Sequence, residues 1–86
     1  MKLFLAGLVM LTTFKVMAEP QCTGDDKTKW KNEEAFRKEL ELQYKIKKFK
    51  VTKGNCFEIY GLNKEGKKVE IYFNPVTGEK VKERIE

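Results

Sequence analysis

Gly66-Lys67-Lys68-Val69-Glu70-Ile71-Tyr72-Phe73-Asn74-Pro75-Val76-Thr77-Gly78 is the stretch that decides the fold. Val69, Ile71 and Phe73 alternate with Lys68, Glu70 and Tyr72, a period of two that sends apolar and polar side chains to opposite faces of a strand. Asn74 to Gly78 is made of residues that specify turns. Upstream, Asn63-Lys64-Glu65-Gly66 predicts a tight hairpin, with Gly66 suited to positive φ. It is preceded by a strand from Cys56 to Leu62 with Phe57 and Ile59 on one face and Glu58 and Tyr60 on the other. Tyr60 and Tyr72 then face one another across adjacent strands, as a stabilising pair in preference to a ligand platform. Downstream, Glu79 to Ile85 predicts a short charged strand carrying Val81 and Ile85.

Further back, Tyr44 and Ile46 alternate with Lys45 and Lys47, and Phe49 and Val51 with Lys48 and Lys50. The apolar register slips by one between Ile46 and Phe49, which requires a bulge or two short strands meeting at Lys47-Lys48. Lys53-Gly54-Asn55 is the following turn. Before Tyr44 the period is helical. Asn32 is a good N-cap, Glu33 and Glu34 favour the positive end of the dipole, and Phe36 and Leu40 stand at i, i+4. A helix from about Glu33 to Gln43 is too short to be stable alone, so its stripe needs a sheet to lie on. Trp30, just ahead of the cap, folds onto the first turn. The pattern predicts an α+β fold: one N-terminal helix packed on an antiparallel sheet of three to four strands. The expected core is Phe36, Leu40, Ile46, Phe57, Ile59, Val69, Ile71 and Phe73, with Trp30 covering one end.

Residues 1–18 read as a secretory signal peptide. Lys2 gives the positive start, Leu3 to Phe14 the apolar run, and Val16-Met17-Ala18 a small-residue cleavage pattern. Twelve residues rise only about 18 Å as a helix, short of a hydrocarbon core of roughly 30 Å. Lys15 would also lie inside any longer span. Cleavage after Ala18 leaves 68 residues: an extended arm at 19–29 and one domain at 30–86. The expected location is the periplasm or the cell exterior, with no membrane association after cleavage.

So small a domain buries little of its surface and needs a staple. Its two cysteines, Cys22 and Cys56, pair most simply as a structural disulfide in an oxidising compartment. A closed loop of about 35 residues is worth roughly 3.8 kcal/mol in the chain-entropy model. A reactive thiol pair or metal site is the competing reading, but there is no Cys-x-x-Cys spacing and no histidine.

The chemistry open to the chain is narrow. It has no histidine and no serine, so neither an imidazole base nor a serine triad can be built. Glu33-Glu34 serves the helix dipole and Asp25-Asp26 lies in a polar arm. With Glu19 the latter pair matches no calcium loop. The reading is a non-catalytic protein without cofactor or metal. Of the 18 cations, Lys2 and Lys15 lie in the leader. The remaining 16 against 13 acids give a net charge of +3, which is ordinary for solubility and does not point to nucleic acid. The basic run Lys45, Lys47, Lys48, Lys50 and Lys53 reads first as a solvated face or a guarded edge. Its functional reading is a partner-binding surface of Tyr44, Lys45, Lys47, Lys48 and Lys50.

Together these residues resemble the PepSY domain in its short, secreted, single-domain form. The carriers are Trp30 before Asn32-Glu33-Glu34-Ala35, then Tyr44-Lys45-Ile46, Cys56-Phe57-Glu58-Ile59 and Gly66 to Phe73. Asn74-Pro75-Val76-Thr77-Gly78 follows, with Glu79-Lys80-Val81 after it. Asn74 stands where the family usually has Asp, and Gln43 where many members have Gly after the helix. The resemblance covers about three quarters of the chain beyond Ala18. It implies a module found in protease propeptides and as free-standing exported proteins, thought to modulate or inhibit proteases. The expected function is therefore an exported, monomeric binding module with a protein partner, a protease among the candidates. The alternative is a charge-driven binder of acidic envelope components through its lysines.

Overall fold

The structure, a computed structural model, describes residues 19–86. The signal peptide expected at 1–18 lies outside the described residues. The chain runs from an extended arm through a 3₁₀ turn at Lys27–Lys29 to a helix, α1 (Glu33–Leu40). Four strands follow: β1 (Lys45–Val51), β2 (Phe57–Leu62), β3 (Lys68–Phe73) and β4 (Lys80–Ile85). They form one antiparallel sheet in the order β1-β2-β3-β4, so β1 and β4 are its edges.

The expectation of an N-terminal helix packed on the sheet is corrected by this architecture. The helix is not the first element, since the arm and the 3₁₀ turn precede it. It has eight residues, two turns, and stops three short of Gln43. Only Phe36 and Leu40 of it are buried, so it meets the core through those two side chains alone. The reason is local. Glu41 to Gln43 is a turn in which Leu42 donates to the Glu39 carbonyl and both Gln43 and Tyr44 donate to that of Leu40. This closes the helix without a left-handed residue, and Leu42 is left 78% exposed. At the other end the Asn32 side chain accepts from Ala35 N at 2.9 Å, as an N-cap should. Lys31 N donates to the Pro75 carbonyl at 2.7 Å, tying the helix entry to the β3–β4 turn.

The core lies on one face of the sheet. It comprises Phe36, Leu40, Tyr44, Phe57, Ile59, Val69, Ile71 and Phe73, with Trp30, Ile46 and Phe49 packed against it. Ile46 is thus half-buried where full burial was expected, and Tyr44 takes the core place instead. Phe57 is the hub at one end. The rings of Trp30, Phe36 and Phe49 lie 5.7, 5.7 and 5.3 Å from it.

The register slip in β1 is a bulge in a single strand. Ile46 pairs with Gly61 and Lys48 with Tyr60, leaving Lys47 as the extra residue. Gly61 is the residue that admits it, because a Cβ there would overlap the Lys45 carbonyl. At the other end of the sheet Cys22 and Cys56 form a disulfide. Cys22 N donates to the Gly54 carbonyl at 2.9 Å, and Asn74 Nδ2 to the Cys22 carbonyl at 3.1 Å.

A candidate interaction surface

Side chains of the sheet face opposite the core stand in two rows set by strand register. One reads Lys48, Tyr60, Glu70, Arg84; the other Lys50, Glu58, Tyr72, Lys82. Cations occupy the edge strands and acids with tyrosines the middle. Tyr60 and Tyr72 are therefore diagonal neighbours, each facing a glutamate, and not the direct cross-strand pair expected. Lys48 Nζ lies 5.9 Å from the centre of the Tyr60 ring, Lys50 Nζ 3.7 Å from Glu58 Oε1, and Arg84 Nη1 3.6 Å from Glu70 Oε1.

Glu58 is the anomaly of this face. It is 1% exposed, and among the described residues neither carboxyl oxygen has a hydrogen-bond partner, the Lys50 ammonium at 3.7 Å being an ion pair only. A charge removed from water without compensation is costly, so the protonated form is favoured. Burial, and secondly the Glu70 carboxyl, hold Glu58 above the usual carboxylate range, while Tyr60, Lys50 and Tyr72 pull the other way. Glu70 is held below that range, chiefly by Glu58 and also by the Tyr60 and Tyr72 hydroxyls and Arg84. Tyr72 donates to Glu70 Oε2 at 3.1 Å. Burial and the two carboxyls push both phenols well above their ordinary value, so they stay neutral donors. The sequence shows Glu58 only as one member of an alternating strand. Its burial follows from register, which places it between Lys50 and Tyr72 and beside Cys56.

The lysine strand β1 is the edge next to these rows. Lys45, Lys47, Lys48 and Lys50 are all exposed. Lys45, Lys48 and Lys50 share a face with Leu62, Tyr60 and Glu58, while Lys47 sits in the bulge. Tyr44 is placed apart from them. It is buried in the core, with Lys80 Nζ 5.8 Å from its ring centre. Lys80 is held above its usual range by Tyr44 first and Glu83 second.

The backbone orientation of β1 follows from one bond. Thr52 N donates to the Cys56 carbonyl. Successive residues of a strand turn their N–H and C=O to opposite edges, so those of Lys50 and Lys48 face β2. Those of Phe49 and Val51 face the open side. Beside this edge, on the core side of the sheet, lies a cleft of about 390 Å³ lined by Phe49 and by Asn32, Glu33, Glu34 and Arg37.

Among the described residues no three His, Cys, Asp or Glu side chains stand close enough to hold a metal, and no helix is long and apolar enough to cross a membrane. In the arm, Asp26 caps the 3₁₀ turn by accepting from Thr28 N, and the Asp25 carbonyl accepts from Trp30 Nε1. A family model described as peptidase propeptide and YPEB domain matches residues 2–84. No curated protein and no solved structure matches the chain.

Proposed function

We propose a function from one premise: the chain belongs to the PepSY family of peptidase propeptide and YPEB domains. On that premise it is an exported, non-catalytic module that binds a protein and restrains a peptidase. Residues 1–18 act as its signal peptide, 19–29 as a pinned arm and 30–86 as the binding domain. Periplasmic or extracellular residence is supported by the Cys22–Cys56 disulfide, a bond that persists in oxidising compartments.

The observation that carries the reading is the open edge of β1. Among the described residues no strand lies beyond it, and the amides of Phe49 and Val51 are free to pair with an incoming strand. Strand addition gives affinity through the main chain and specificity through alternate side chains. The lysines contribute charge around that contact. They also support a second reading, in which Lys45, Lys47, Lys48 and Lys50 bind acidic envelope components by charge alone. Among the described residues, only Lys50 of the four makes an ion pair.

The test is peptidase assay and capture from the cell envelope with the purified protein. Slowing of an envelope peptidase that persists at high salt is the expected result. Binding abolished by screening would favour the charge reading. The proposal fails if the protein neither binds nor slows any peptidase of its own envelope.

A further inference from the structure

We infer that the segment received by β1 is an extended chain carrying an acidic–apolar–acidic triplet, set opposite Lys48, Phe49 and Lys50. This deepens the reading above and rests on β1 being the contact strand. Residues directly opposite each other on paired strands put their side chains on the same face. A partner residue opposite Lys48 or Lys50 therefore lies on the outer face, beside an exposed ammonium group. The residue between them lies on the core face, against the half-buried Phe49.

Three features of the edge select this pattern. Like charges set directly opposite one another are destabilising and opposite charges stabilising, so the lysines accept acids and reject cations. The cleft beside Phe49, bounded by Asn32, Glu33, Glu34 and Arg37, has room for a side chain that the sheet itself does not supply. The bulge at Lys47 breaks the regular edge toward the start of β1, confining regular pairing to the stretch from Lys48 onward. The other edge offers no equivalent. On β4 the outer-face cations are Lys82 and Arg84, the latter engaged by Glu70 as Lys50 is by Glu58, so the difference lies in the residue between them. Its side chain opposite Ile71 is a charged Glu83 where β1 presents Phe49.

The probe is a capped pentapeptide of sequence threonine–glutamate–leucine–glutamate–threonine, with a control in which both glutamates are lysines. Backbone amide exchange and shift perturbation are read on the full-length protein. The acidic peptide should protect the Phe49 and Val51 amides, and the lysine peptide should bind at least about tenfold more weakly. Lys48→Glu, which leaves one anion and one cation at the two positions, should erase that preference, so equal binding is expected for this variant alone. Lys48 is exposed, with its ammonium over the Tyr60 ring, so this variant keeps its fold, checked by an unchanged melt. Phe49→Pro, which deletes an outward donor, should abolish protection at Val51 with either peptide. Equal binding of the two peptides, binding of neither, or protection appearing on β4 would each overturn the inference. A peptidase slowed by the protein while both peptides fail would sink the triplet and leave the family reading standing. An acidic peptide that binds with no peptidase slowed would do the reverse.

Discussion

At the scale of single residues, Glu58 sets the clearest expectation. Its carboxyl is held above the usual range by burial, so the protonated form is the one the fold favours. A raised carboxyl contributes stability that is complete below the unfolded value and is lost as pH rises through the folded one. Glu70, held low, works in the opposite sense: its contribution is present above the unfolded value and fades as pH falls. Glu58→Gln mimics the protonated carboxyl at every pH and removes one side of this opposition. It should melt above wild type at pH 8. The gap should close toward pH 4. A variant that melts lower at pH 8 would show that Lys50 compensates the charge fully. Asn74 illustrates the same scale from the sequence side. Its place in a turn is legible from Asn-Pro-Val-Thr-Gly, and its Oδ1 accepts from Val76 N at 2.8 Å, which an aspartate could equally do. Its Nδ2 bond to the Cys22 carbonyl is a donor's task that a carboxylate cannot perform. Nothing local reveals it, because the partner is fifty-two positions away.

At the scale of elements, alternation makes β2 and β3 readable, since a strand with one buried face repeats every two residues. The bulge is readable for the same reason: the slip between Ile46 and Phe49 is a break in that period. Helix length is not readable in this way. Gln43 and Tyr44 continue the helical stripe, but the turn after Leu40 draws Tyr44 into the core from the start of β1. Whether a basic edge is a guard or a docking rail is not written in β1 either, as both uses call for exposed lysines. What the sequence does place there is Gly61. Gly61→Ala should displace Lys45 and Ile46 from the sheet at a cost of about 1–3 kcal/mol, the range for overpacking. Faster amide exchange in β1 than in β3 would accompany it. If the variant matches wild type in both melt and exchange, the close approach at the bulge is not a constraint.

For the whole molecule, the disulfide divides the chain unequally. The closed loop contains α1 and β1, while β3 and β4 lie outside it. Cys56→Ala should cost about 2–5 kcal/mol, read as a fall in denaturant midpoint. Intact mass of the purified protein should rise by two hydrogens on reduction. An unchanged midpoint would mean that the Cys22 and Asn74 hydrogen bonds hold the arm without the covalent link. The pairing itself was within reach of the sequence, given two cysteines and an apparent export signal. That it seats the arm against Gly54, where a Cβ would overlap the Pro20 carbonyl, needed the third dimension.

The pinned arm also gives the domain a mechanical direction. The arm meets the sheet where β2 begins, and Glu86 leaves it at the opposite end, where its N–H donates to the Lys68 carbonyl. A pull between Glu19 and Glu86 is thus delivered through Cys56 to the start of β2 and opposed at the end of β4. Force then runs along the strands and across their perpendicular hydrogen bonds, which must shear together; they cannot be unzipped one at a time. With the bond reduced, the same pull reaches the sheet through α1 and β1. The 33 residues between the cysteines, a sequence separation of 34, could then pay out about 110 Å once α1 and β1 unravel. Oxidised, the chain is a short stiff link; reduced, it is an extensible one.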